Sequence, residues 1–189
     1  SVGYGIGAGI VIHGAPYYGT KGITGELGHY SLQGDNVVKC TCGRYNCLTS
    51  YSSGEAIPER AIRKIKNGRH SILSKFLKDS CSSINAKLVA EACVEKDALS
   101  LEVFRESMEY LGLSIAGMIN VFDPEAVFVG GGVAMAGPVF WDNLLPAIEK
   151  NLLYCNLEDC HVKPVSYPAN SAIMGAVSMV LREVLNFRI

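Results

Sequence analysis

The chain has 189 residues, 49% hydrophobic and 19% charged, enough apolar content to bury a core and too much for a disordered chain. Seventeen Lys and Arg against eighteen Asp and Glu leave a formal net charge of −1, so whole-chain electrostatics draws in neither nucleic acid nor an anionic membrane. Two apolar stretches, Val2–Ile12 and Ala126–Ala136, are glycine-broken and about ten residues long, half of what a membrane span requires, and no secretory signal is visible.

Val2–Ile12 is rich in glycine and β-branched residues and reads as a strand; the Gly14, Pro16 and Gly19 cluster after it folds the chain back as a hairpin. Ser1 opens directly onto this motif without an initiator Met, from which we expect a fragment of a longer chain. Thr24 to Asn46 is irregular, with an Asp35-Asn36 turn signal and little periodicity, so it needs something other than an apolar core to order it. Leu48–Lys66 and Ser71–Lys78 read as helices that end near Asn67-Gly68 and Asp79, and Asn85 caps a helix over Ala86–Glu95. After a cap at Asp97, Leu101, Phe104, Met108, Leu111, Ile115, Ile119 and Phe122 recur at three/four spacing until Asp123-Pro124 stops the helix. Gly112, Ala116 and Gly117 offer a close approach to a neighbour. Ala126–Val129 is a short buried strand running into Gly130-Gly131-Gly132; Pro138–Leu153 is a helix, His161–Val165 a strand, and Ser171–Leu185 a final helix with close packing at Gly175 and Ala176. Strand, glycine loop and helix in alternation predict an α/β layer fold.

Of the seven cysteines, Cys40, Cys42 and Cys47 cluster, while Cys81, Cys93, Cys155 and Cys160 are scattered. An odd number in an intermediate-sized chain points away from an oxidised scaffold and toward a reducing cytoplasm. His29, Cys40, Cys42 and Cys47 supply three thiols and an imidazole, a complete tetrahedral shell for structural zinc; a group of free cysteines beside an unrelated histidine is the other reading. Glu26, three residues before His29, is then held where a carboxylate accepts hydrogen bonds from sugar hydroxyls, with one imidazole nitrogen for metal and the other for ligand. Without a ligand it is a solvated charge. Gly5 and Gly7 on the first strand, and Gly131 and Gly132 after the buried strand, either offer N–H donors to a phosphate or serve only tight packing and turning. Cys155, Cys160 and His161 imitate metal spacing but read as packing residues, and His13 and His70 as solvated. Tyr17-Tyr18 covers either a ligand or a core edge.

Taken together these residues resemble the ROK family (repressor, open reading frame, kinase). The family's signature reads here as Gly5-Ile6-Gly7-Ala8-Gly9, Gly19, Gly25 and Gly28-His29. Its Glu-x-Gly-His appears as Glu26-Leu27-Gly28-His29, and its cysteine motif as Cys40-Thr41-Cys42-Gly43-Arg44-Tyr45-Asn46-Cys47-Leu48-Thr49. Asn120–Pro124 with Gly130–Gly132 is similar to the segment beside the family's nucleotide cleft. The resemblance implies an actin/hexokinase-like (ribonuclease H-like) ATPase-type fold, mainly its C-terminal lobe. It divides the chain into a glycine-rich hairpin and Glu-x-Gly-His segment (1–29), a zinc loop (29–47) and a helical and α/β remainder (48–189). It also implies sugar binding by Glu26 and His29, and structural Zn2+ on His29, Cys40, Cys42 and Cys47. The family's catalytic aspartate and first phosphate loop lie upstream of the matched segment, so no catalytic residue is expected in this chain.

Two departures bear on function. Tyr4 stands where the second phosphate loop of the kinases has Thr, adding bulk beside the phosphate path. Thr49 replaces the Glu that closes the cysteine motif and supplies a second carboxylate to the sugar. Both favour a sensor. The leading expectation is the effector-binding and oligomerisation domain of a transcriptional regulator. It would take a small-molecule sugar or sugar phosphate, form a homodimer or higher homo-oligomer, and contact DNA only through a missing N-terminal domain. An ATP-dependent sugar kinase, for hexose or amino sugar, is the alternative and the only reading that calls for Mg-ATP; a zinc-stabilised structural module without ligand is the third.

Overall fold

The structure is a computed structural model and describes residues 1–32, 37–77 and 83–185. The Asp35-Asn36 turn signal, the helix end near Lys78 and Asp79, and Cys81 lie outside the described residues.

The opening segment forms less strand than its composition predicts. Val11–Ile12 (β1) and Ala15–Pro16 (β2) pair antiparallel, Ile12 opposite Ala15. The turn between them holds His13 and Gly14 at φ 51° and 71°, the left-handed pair whose twist matches that of a two-residue hairpin. Ahead of it Val2 and Ile6 form only an isolated bridge. The Gly3 N–H donates to the Gly5 carbonyl at 2.9 Å, and glycine's backbone freedom lets the segment coil rather than extend.

The helix expected over Leu48–Lys66 is two, Thr49–Ser52 (α1) and Ala56–Lys66 (α2). The break falls at Gly54, whose N–H donates to the Gly3 carbonyl at 2.7 Å and where a Cβ would lie 2.9 Å from that oxygen. Ser53 Oγ accepts from the Ala56 N–H at 3.1 Å and starts α2. The helix expected from Ser71 is a 3-10 turn, Ile72–Phe76. Asn85 and Asp97 cap as their sequence context predicts. Asn85 Oδ1 accepts from the Leu88 N–H at the head of Ala86–Val94 (α3), and Asp97 Oδ2 accepts from the Ser100 N–H at the head of Ala98–Phe122 (α4).

The long helix α4 is the spine of the core. Phe104, Met108, Leu111, Ile115 and Ile119 are buried as their spacing predicts, but Leu101 and Phe122 are exposed. Leu99 and Val103 are buried instead, about half a turn round from Leu101. The helices α1, α2, α3 and Pro138–Glu149 (α5) pack on α4, with Glu102 and Glu106 paired to α2 and Gly112 set against α5, so no single stripe describes its burial. Gly112 makes the α4–α5 approach possible, since a Cβ there would lie 2.5 Å from the Ala147 Cβ; at Gly117 it would meet nothing within 4 Å. Val127–Val129 (β3) and Val162–Pro164 (β4) pair in parallel, Val127 opposite Val162, with α5 in the crossover between them. In Ser171–Leu185 (α6), Ile173, Val177, Val180 and Val184 are exposed, and Gly175 meets nothing within 4 Å, so the close packing expected there is not formed. No helix among the described residues is long and apolar enough to cross a membrane.

Candidate metal centre and ligand site

Glu26 and His29 are carried by one short 3-10 turn, Leu27–His29, and two glycines seat that turn against the opening segment. A Cβ at Gly25, whose φ is +95°, would lie 1.9 Å from the Ala8 carbonyl oxygen, and one at Gly28 would lie 2.1 Å from that of Ile6. The Ala8 N–H donates to the Gly25 carbonyl at 2.8 Å. Both spaced glycines of the motif thus serve main-chain contact, which leaves Glu26 outside, with a side chain 67% exposed, and His29 half-covered.

From His29 the chain crosses to the cysteine loop, whose ends are laced by isolated bridges between Ser31 and Cys47 and between Lys39 and Tyr45. Asn46 organises the interior, at φ 59°. Its side-chain oxygen accepts from the Val38 N–H at 2.8 Å and from the Tyr51 hydroxyl at 2.9 Å. Periodicity gives no sign of this role, and it supplies part of the order that the irregular sequence needs from something other than an apolar core. The Gly43 N–H donates back to the Cys40 carbonyl, turning Cys40, Cys42 and Cys47 toward His29.

The four donor atoms of His29, Cys40, Cys42 and Cys47 lie within 4.8 Å of one another. Cys40 Sγ is 3.7 Å from His29 Nδ1, and Cys42 Sγ is 3.6 Å from Cys47 Sγ. A tetrahedral zinc at ordinary bond lengths separates its ligands by about 3.5–3.8 Å, so both of these edges fit such an ion. Cys40 and Cys47 are buried and Cys42 exposed. The Arg44 backbone N–H holds the Cys42 thiol down to about 6, whereas burial pushes the Cys47 thiol up to about 12. With Nδ1 toward the sulfurs, His29 Nε2 faces Glu26 Oε2 at 4.0 Å, too long for a direct hydrogen bond and open for a hydroxyl to join both.

The glycine segments also converge. The Val2 N–H donates to the Gly130 carbonyl at 2.6 Å, the Val133 N–H donates to the Val2 carbonyl at 3.0 Å, and a Cβ at Gly131 would lie 2.5 Å from that same carbonyl oxygen. Gly131 therefore serves packing, while Gly7 and Gly132 face open space and the Cβ position of Gly5 is 3.8 Å from Thr49 Oγ1. Beside them the Tyr4 hydroxyl donates to Glu55 Oε1 at 2.7 Å, a pairing across 51 positions that no local signal announces. The remaining sequence candidates stand apart: His13, His70, Tyr17 and Tyr18 are exposed. A cavity of about 670 Å³ is lined by α2 and α4 together with Val37, Val38 and Tyr51 beside the cysteine loop, and there Arg60 and Lys64 already pair with Glu106.

An α/β arrangement with a glycine-seated Glu-x-Gly-His turn and a converging Cys-x-Cys loop defines a recognisable class. The family model described as ROK family matches residues 1–183, and the chain belongs to that family. It is 27% identical over 188 residues to a putative xylose repressor of Caldicellulosiruptor sp. (strain Rt8B.4), covering 99% of this chain and 46% of the relative. Among solved structures it superposes on a ROK family transcriptional regulator, a homologue of the Escherichia coli MLC protein, with TM-score 0.74 and 29% identity, over 86% of this chain and 40% of that one. It also superposes on a ROK family glucokinase from Streptomyces griseus in complex with glucose and AMPPNP, with TM-score 0.78 and 26% identity, over 94% of this chain and 58% of that one. The chain spans about half the length of the repressor it matches. Repressors and sugar kinases both stand among its relatives.

Proposed function

We propose that this chain is the sugar-sensing, effector-binding and oligomerisation part of a ROK-type transcriptional regulator, built on the C-terminal lobe of the actin/hexokinase-like fold. Glu26 and the Nε2 side of His29 accept and donate to sugar hydroxyls. His29 Nδ1, Cys40, Cys42 and Cys47 hold a structural zinc, which fixes the imidazole and through it the carboxylate three residues earlier. The supporting observation is that His29 presents one nitrogen to the sulfur cluster and the other to Glu26. The pairing of Tyr4 with Glu55 favours sensing over phosphoryl transfer. The hydroxyl of Tyr4, a residue of the glycine segment itself, is already spent on a carboxylate that repels phosphate. Sugar binding acts by shifting lobes and so the separation of DNA-reading heads in a homodimer, with DNA contacted by a segment outside these residues.

The test uses the full-length protein. Elemental analysis is expected to give one zinc per chain. Titration calorimetry over hexoses, N-acetylhexosamines and xylose is expected to find a sugar that binds without Mg-ATP and changes operator affinity. Sugar-dependent ADP release would reverse the assignment to kinase, and metal-free protein that retains full sugar affinity would remove the zinc-centred account.

A further inference from the structure

Cys155 and Cys160 stand in the connection from α5 to β4 and are not members of the His29, Cys40, Cys42 and Cys47 group. Their Sγ atoms are 3.3 Å apart. The loop holds them there by its own hydrogen bonds. The Asn156 N–H donates to Asp159 Oδ2 at 3.3 Å and the Asp159 N–H to Asn156 Oδ1 at 3.1 Å, and the Cys160 thiol donates to the Asn156 carbonyl at 3.2 Å. No third donor makes this a metal site, since His29, Cys40, Cys42 and Cys47 form the one such group among the described residues. Closing 3.3 Å to a sulfur–sulfur bond of about 2.05 Å needs a movement of about 1 Å, within reach of a rotamer adjustment in a six-residue loop.

We infer that Cys155 and Cys160 form a thiol-modification site, a dithiol that a low-molecular-weight disulfide of the glutathione class converts to an intramolecular disulfide. Cys155, the less buried of the two, attacks as thiolate. Its sulfur bonds to one sulfur of the oxidant, whose other half leaves as a thiolate and takes up a proton. Cys160 then loses its proton and attacks Cys155 Sγ, expelling the second half. The two protein thiols are oxidised, and the external disulfide is reduced to two thiols. The order follows from access: Cys160 is 3% exposed, and burial, with Cys155 and Asp159 adding to it, pushes its thiol up to about 11. It is therefore the resolving rather than the attacking partner.

The location gives the bond a mechanical effect. Two residues after Cys160 the chain enters β4, and the Val165 N–H, just past its end, donates to the Val129 carbonyl at 3.2 Å. The Val165 side chain fills the space that a Cβ on Gly130 would need, 2.6 Å away, and the Gly130 carbonyl receives Val2. A closed Cys155–Cys160 bridge thus stiffens the strand on which the glycine loop rests.

The tryptic peptide from Asn151 to Arg182 contains these two cysteines and no other, because the Lys163–Pro164 bond resists trypsin. Folded full-length protein is equilibrated in glutathione buffers of rising oxidised fraction, quenched with an alkylating agent and mapped by mass spectrometry. The expected result is that this peptide loses two hydrogens and escapes alkylation. C160S is expected to stall with glutathione on Cys155, and C155S to stay unmodified at Cys160. Hydrogen exchange of the wild-type chain is expected to slow from Val162 to Val165 on oxidation. A wild-type peptide alkylated at both cysteines across the whole range, or one that halts at the glutathione adduct, overturns the inference without recourse to any variant.

Discussion

Replacing Gly112 with Ala adds one methyl group where α4 crosses α5. The new Cβ would stand 2.5 Å from the Ala147 Cβ, 2.7 Å from the Ala147 carbonyl carbon and 2.9 Å from the Ile148 nitrogen. Two of these neighbours are main chain, so no rotamer change relieves the overlap. Restoring ordinary contact near 3.5 Å requires the two helices to part by about 1 Å along the seam that buries Met108, Leu111, Leu144 and Ile148. Overpacking of this kind costs about 3 kcal/mol at its upper range, and the better helix propensity of Ala returns about 1, for a net loss of about 2 kcal/mol. Gly117→Ala supplies the control: same helix, same substitution, an exposed position with nothing within 4 Å, hence a gain of about 1 kcal/mol. The gap of about 3 kcal/mol between the two variants is then the packing contribution alone, because the propensity gain is common to both. Urea unfolding of the two proteins measures it, with melting temperatures expected to diverge by about 6–12 °C. Equal stabilisation by both substitutions would refute the claim that Gly112 is what lets α4 and α5 touch.

Asp97→Ala removes the cap of α4 together with the acceptor for the Ile72 N–H at 3.0 Å and the Ser71 hydroxyl at 2.8 Å; a loss of about 2 kcal/mol is expected in denaturant unfolding. Although burial pushes the Asp97 carboxyl up, the hydrogen bonds from Ser100, Ile72 and Ser71 outweigh it and hold the carboxyl below its usual range. The unfolded chain therefore binds the proton more readily. The wild-type protein is expected to carry this stabilisation above about pH 4 and lose it as acid is added below that, whereas Asp97→Ala shows a flatter stability profile through the same window. Gly28→Ala forces a Cβ to within 2.1 Å of the Ile6 carbonyl oxygen, while Gly7→Ala meets nothing within 4 Å. Full-length Gly28→Ala is expected to lose at least tenfold in sugar affinity by calorimetry, about 1.4 kcal/mol, and to bind zinc less fully, with Gly7→Ala keeping both.

Features settled within a few residues are the ones most legible in the amino-acid sequence. The hairpin at His13-Gly14 and the caps at Asn85 and Asp97 depend on local backbone chemistry, and each forms where its residues stand. The His29, Cys40, Cys42 and Cys47 group is legible for another reason: thiols and an imidazole at those spacings converge on one point when the intervening loop turns, and the fold brings them within 4.8 Å. What escapes the sequence depends on distant chain. The division of Leu48–Lys66 at Gly54 exists because the Gly3 carbonyl arrives there, and the helical propensity of the segment contains no trace of that visitor. The same holds for Glu55, claimed by Tyr4, and for Leu99 and Val103, buried by neighbours on another side of α4 than the one its apolar spacing marks. The glycine run at the start misleads in the opposite direction. Its residues are permissive enough to form a strand, yet they coil, because their main chain is engaged with Gly25, Gly54 and Gly130 instead.

That engagement makes the opening residues a push-rod. Val2 grips the loop at Gly130 and Val133, and six positions further on Ala8 grips Gly25, with Ile6 pressed on Gly28 between them. Peptide bonds meeting peptide bonds have no pliant side chains to soak up travel. If a guest molecule binds the Glu26 turn as proposed, any displacement of that turn would be carried along this rod to Gly130 and Val133.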